Sequence, residues 1–174
     1  AHRPEHLAPL QRLIGIPFKR GAVESPIEYL DRNEIDALLS SIDRRTRLGR
    51  RDYALFALMF NTGARVQEML DLRAQDVRLE VPPQVRLLGK GKKVRVCPLW
   101  PAVARLLKQL ILESHRPSED TADQLIFTNA RGRCLTRYGV RYLLRRYVRK
   151  AARTVPSLRG KKLHPHSIRH STAI

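Results

Sequence analysis

From Tyr53 to Phe60 the chain reads Tyr-Ala-Leu-Phe-Ala-Leu-Met-Phe, apolar almost all round at helical spacing. A helix without a polar face is stable only when other elements enclose it. The rest of the chain therefore has to wrap this segment, and 174 residues suffice for one ordinary domain that does so. Thr62 and Gly63 break the helix at its far end.

The enclosing elements are legible on either side. Asp31 and Glu34 have the spacing of a capping pair, and Ile35, Leu38, Leu39 and Ile42 follow at helical spacing, which predicts a first helix of about three turns. A short helix starts near Arg65, carries Met69, Leu70 and Leu72 to the core, and ends before Asp76. Val77 and Leu79, then Val85, Leu87 and Leu88, then Val94 and Val96 form short segments separated by Pro82, Pro83, Gly89 and Gly91, the pattern of a small three-stranded antiparallel sheet. Pro101 opens a long helix bearing Val103, Leu106, Leu107, Leu110 and Ile111. Thr136 caps another, with Val140, Leu143, Leu144, Tyr147, Val148 and Ala151 as its buried stripe. The fold class is α+β, mainly α. Residues 1–26, with four prolines and no helical period, read as a linker or arm, and residues 27–174 as the domain. Ser171 to Ile174 read as the inside of a helix, so the chain is expected to continue past Ile174.

Charge narrows the function. Lys and Arg number 34 against 16 Asp and Glu, and every acid lies at or before Asp123. Residues 124–174 carry 13 bases and no acid, leaving 21 bases and 16 acids before them. A one-sided basic stretch is the footprint of a phosphate-binding face, although a solubilising charge would read the same way. No apolar run reaches the roughly 18 residues of a membrane span, and Cys97 and Cys134 make neither a disulfide framework nor a Cys-rich metal site. A reducing, cytoplasmic setting and a nucleic-acid partner are expected.

Four places carry chemistry. Arg137, Arg141, Arg145 and Arg149 recur every four residues, so like charges line one helix face, which a polyanion or plain solvent would relieve. In Thr62-Gly63-Ala64-Arg65, the arginine enters a helix beside a very apolar neighbour, would be partly buried, and could be oriented by Glu68 or simply paired with it. Gly89-Lys90-Gly91-Lys92-Lys93 reads as a hairpin tip whose lysines reach a phosphate, deliver a proton to a leaving oxygen, or are merely solvated. His164-Pro165-His166-Ser167-Ile168-Arg169-His170 reads as a helix start that puts His166 and Arg169 on one face. His166 and His170 stand four apart, but without an intervening glutamate or any later acid no metal is expected.

Thr-Gly-Ala-Arg with Glu68, Leu72 and Asp76, Gly-Lys-Gly-Lys-Lys-Val-Arg with Pro98-Leu99, and His-Ser-Ile-Arg-His resemble, in this order, the signatures of the tyrosine recombinases, the phage-integrase family. The resemblance runs from about Tyr29 to Ile174. It implies a helical DNA breaking and rejoining fold with a small sheet, Arg65 and Arg169 as catalytic arginines, Lys90 as the hairpin lysine, His166 as the histidine of the HxxR motif, and Glu68 in support. Arg137, Arg141, Arg145, Arg149, Lys92 and Lys93 are the expected DNA contacts. The implied reaction is recombination or integration of mobile DNA through a 3′-phosphotyrosyl link, by several copies on DNA and with no cofactor. A regulator of the same fold without catalysis would keep the arginine stripe but need neither Lys90 nor His166, and a type IB topoisomerase-like enzyme would share the same arginine, lysine and histidine chemistry. All five tyrosines precede the HxxR motif, whereas the family's nucleophile follows it, so no nucleophile is assigned in residues 1–174 and the chain alone is expected to be inactive.

Overall fold

The structure, a computed structural model, describes residues 28–89, 91, 93–114 and 121–172. Among them are six α-helices and three strands. Helix α1 spans Arg32–Ser40, α2 Arg47–Thr62 and α3 Val66–Leu70. Strands β1 (Val77–Arg78), β2 (Gln84–Leu88) and β3 (Val94–Pro98) follow, then α4 (Pro101–Ser114), α5 (Arg137–Ala151) and α6 (Pro165–Ser171).

The apolar segment occupies the centre as its composition demands. Every residue from Ala54 to Phe60 is buried in α2, which packs against α4 and α6. Each large side chain withdrawn from water in this way contributes about 1.5–3 kcal/mol. Thr46 caps the start of α2 through its Oγ1, which accepts from the Gly49 N–H at 3.0 Å. Gly63 ends it at a φ of +59°, the left-handed conformation that only a residue without Cβ takes at little cost.

Helix α1 is shorter than the sequence suggests. Its capping pair forms, Asp31 accepting from the Glu34 N–H at 2.9 Å and Glu34 from the Asp31 N–H at 3.0 Å, but the helix stops at Ser40 and Ile42 reaches the core from the turn beyond. Helix α5 packs on α1 and α3. All six residues of its predicted stripe are buried, and the Tyr147 hydroxyl donates to Asp52 Oδ2 at 2.7 Å. Burial and the adjacent carboxylate push that phenol well above its ordinary pKa. Arg51 closes the network from the other side, its Nε donating to Asp52 Oδ1 at 2.8 Å and its Nη1 to the Thr128 carbonyl at 2.7 Å.

The sheet has the order β1-β2-β3, all antiparallel, with Leu87 opposite Arg95 and Leu88 opposite Val94. Val85 and Leu87 face inward and are buried, while Leu88, Val94 and Val96 are exposed on the outer face. Pairing therefore turns Arg95 inward. No helix among the described residues is long and apolar enough to cross a membrane.

Candidate active site

Three chain segments converge beside the end of α2. After Gly63 the backbone extends through Arg65, whose φ and ψ of −74° and 150° make it the N-cap of α3 rather than a residue of its first turn. Glu68, three residues on, reaches back and accepts the Arg65 N–H at 2.8 Å. The sequence suggests a partly buried Arg65. The Arg65 side chain is 46% exposed and the Glu68 side chain only 3%, so the carboxylate is the more buried of the two. As the N-cap, Arg65 stands outside the helix with its side chain toward solvent, while the Glu68 carboxylate lies under the hairpin.

Glu68 is more than the partner of Arg65. Arg95 of β3 donates through Nη1 to Glu68 Oε1 at 2.8 Å and through Nη2 to Oε2 at 2.7 Å, whereas the Arg65 guanidinium makes one longer contact, Nη1 to Oε1 at 3.3 Å. Burial by itself would raise the pKa of Glu68, but the Arg95 fork, the Arg65 N–H, the charge of Arg95 and the Arg65 side chain outweigh it and hold the carboxyl down at about 2. The sequence reading missed Arg95, because Val-Arg-Val-Cys alternation puts the valines inside and the arginine out.

The HxxR segment starts α6 as its residues suggest. His164 is the N-cap, its N–H donating to Ser167 Oγ at 3.2 Å, and Pro165 stands at the first helical position. Arg169, one turn on, donates through Nη1 to the Gly63 carbonyl at 2.7 Å. That bond fixes the second arginine to the turn that presents the first. His166 is exposed, and it lines a cleft of about 330 Å³ together with Arg65, Gln67, Arg137, Tyr138 and Arg141. Arg137 is anchored there by its Nε, which donates to Gln67 Oε1 at 2.8 Å. Gln67 and Tyr138 were not singled out in the sequence, since neither breaks a pattern.

Helix α5 extends the basic surface. Arg141 is half-buried rather than fully solvated, and its Nε is buried without a hydrogen-bond partner. It also lines a second cleft of about 640 Å³ with Tyr142, Arg145, Arg149, Lys161 and Lys162. The arginine stripe thus runs from one cleft into the other. Lys93 is exposed at the hairpin, where its carbonyl accepts the Gly89 N–H at 2.8 Å. Lys90 and Lys92 lie outside the described residues. Among the described residues no group of three His, Cys, Asp or Glu side chains is arranged to hold a metal ion.

Known proteins resemble this chain throughout its described part. The profile of the phage integrase family matches residues 28–174. The integrase/recombinase-type protein y4rC of Sinorhizobium fredii is 35% identical over 171 residues, 98% of this chain and 50% of the relative. The tyrosine recombinase XerD of Staphylococcus epidermidis is 36% identical over 148 residues, 84% of this chain and 48% of the relative. Among solved structures, the XerH site-specific recombinase bound to difH substrate superposes with a TM-score of 0.68 at 28% identity, covering 83% of this chain and 41% of that one. The chain spans about half the length of the curated relatives it matches.

Proposed function

The chain belongs to the phage integrase family, and on that premise we propose that it is the catalytic domain of a tyrosine-type site-specific recombinase acting on double-stranded DNA. The observation that carries the reading is the juxtaposition of Arg65 and His166 in one cleft, with Arg169 held to the Gly63 carbonyl two residues before Arg65. A phosphodiester under attack gains negative charge on its non-bridging oxygens. Two guanidinium groups with fixed, forked donors stabilise that charge without a metal.

In the proposed step a tyrosine hydroxyl from outside residues 1–174 attacks the phosphorus, with His166 hydrogen-bonding the nucleophile or taking its proton. The tyrosyl O–P bond forms, the P–O5′ bond breaks, and Lys90 gives its proton to the departing 5′ oxygen. A 5′ hydroxyl of another strand then reverses the reaction. The phosphoester is conserved throughout, so the exchange needs no nucleotide cofactor. Several copies assemble on the DNA, so that two duplexes can be exchanged. XerH, whose structure holds difH, is a precedent for duplex DNA as the substrate class.

Covalent trapping on nicked duplex tests the reading. A protein carrying these residues together with the nucleophilic tyrosine gives a denaturant-resistant DNA adduct. Its Arg65→Ala and Arg169→Ala variants, each lacking a charge-assisted donor pair worth roughly 1.5–3 kcal/mol per bond, trap at least about tenfold more slowly. Unchanged trapping in both variants would overturn the assignment.

A further inference from the structure

Arg95 is an arginine on the inner face of a sheet. Strand pairing sets it opposite Leu87, which is buried, and its side chain is about one-third exposed. A charge turned toward the interior needs an acceptor, and the acceptor is Glu68. An ionised carboxylate offers about four acceptor positions. At Glu68 the Arg65 N–H takes one at 2.8 Å, the Arg95 fork takes two at 2.8 and 2.7 Å, and the Arg65 guanidinium has the weakest, at 3.3 Å.

The backbone shows how close the fit is. A Cβ placed on Gly89 would lie 3.2 Å from Glu68 Oε1, 3.3 Å from the Lys93 carbonyl oxygen and 3.7 Å from Arg95 Nη1. A side chain at residue 89 would crowd the Glu68 carboxylate and the Lys93 carbonyl, which would have to give by a few tenths of an ångström.

This division of Glu68 has a consequence for Arg65. Carboxylates and guanidinium groups prefer a paired, bidentate geometry. With no competitor, Glu68 and Arg65 would close on each other, and a guanidinium folded onto a carboxylate presents neither its fork nor a net charge to a phosphate. We propose that Arg95 is a positioning residue for Arg65: its fork occupies both oxygens of Glu68, compensates that buried charge, and leaves the Arg65 guanidinium a single long contact to Glu68, its other donors available to phosphate in the cleft. The inference rests on the reading of that cleft as a phosphodiester site.

The test titrates the 174-residue chain with inorganic phosphate and follows the Arg65 side-chain Nε–Hε resonance, identified by its loss in Arg65→Lys. A site-specific probe is needed because a chain of net charge +18 attracts phosphate all over its surface. All variants are compared at a temperature where each is folded. Arg95→Met is expected to weaken phosphate binding at Arg65 about tenfold, and Arg95→Lys, a single-point cation that keeps the interior charge compensated, about threefold. The double variant Glu68→Gln with Arg95→Met is expected to return it to within about twofold of wild type, because the competing carboxylate is gone. If Arg95→Met does not fold, Arg95→Lys against the double variant carries the same comparison.

A pair serving stability alone would move melting temperatures and leave the phosphate affinity at Arg65 unchanged in every folded variant. That result overturns the assignment, as does a double variant no better than the single ones. Absence of any phosphate response at Arg65 in wild type overturns the phosphodiester reading of the cleft, and the role of Arg95 falls with it.

Discussion

Glu68 lies at the meeting point of two arginines, one backbone N–H and the hairpin, and its titration reports on all of them. Its folded pKa of about 2 lies below the ordinary value of 4.5, so the folded chain holds this proton less tightly than the unfolded one. The stability it contributes is therefore complete above about pH 4.5 and is lost as pH falls toward 2. The shift corresponds to about 3 kcal/mol. Denaturant midpoints measured from pH 6 to pH 2 should show wild type losing its advantage over Glu68→Gln by about that amount across this window. An advantage constant with pH would mean that the carboxylate is not held ionised in the fold. At this scale the sequence was half legible. The i, i+3 spacing revealed that Arg65 and Glu68 meet, but nothing local showed that Arg95, 27 residues on, takes the larger share of the carboxylate.

The HxxR helix α6 is held at both ends by a segment at the opposite end of the described chain. The Leu30 N–H donates to Ser171 Oγ at 2.8 Å at the far end of α6. Ahead of α6, Lys161 Nζ donates to Glu34 Oε2 at 2.6 Å and to the Tyr29 carbonyl at 3.1 Å, and Ser157 Oγ donates to Glu34 Oε1 at 2.6 Å. Glu34 is fully buried. Burial pulls its pKa upward, yet the bonds from Lys161, Ser157 and the Asp31 N–H prevail and hold it below the ordinary carboxylate value. The capping glutamate of α1 thus also braces the helix that carries His166 and Arg169. Lys161→Met leaves a buried carboxylate without its cation. It should cost about 2–4 kcal/mol and speed amide exchange in α6 before that in α2. Equal acceleration in both helices would assign the bond to global stability instead. The capping pair was plain in the sequence, whereas the partners of Glu34 more than 120 residues away were not.

Across the whole molecule the bases of residues 124–174 lie beyond the reach of a balancing acid in their own stretch, and α5 and the 161–164 segment gather several of them into adjoining clefts. Each phosphate neutralised by such a face lowers the slope of log affinity against log salt by about 0.9. Duplex DNA binding measured by fluorescence anisotropy should therefore fall steeply between low and physiological salt. Arg145→Ala with Arg149→Ala should make that slope shallower by between one and two. Arg105→Ala with Lys108→Ala, on α4 and outside both clefts, should leave it unchanged. Equal effects of the two pairs would mean that net charge, and not the face, attracts the DNA.

Local pattern determined a good deal of this protein. A helix apolar on all sides had to be central, capping and glycine signals bounded its neighbours, proline and glycine spacing separated three strands, and three ordered motifs identified the family. These properties depend on residues within a few positions of one another, where backbone geometry fixes which side chains meet. Only the tertiary structure decided that β3 turns Arg95 inward onto Glu68, that Arg169 is tied to the Gly63 carbonyl, and that Glu34 reaches Lys161. A side chain's long-range partner is chosen by strand register and helix packing, and those follow from burying the whole core at once rather than from any one stretch of sequence.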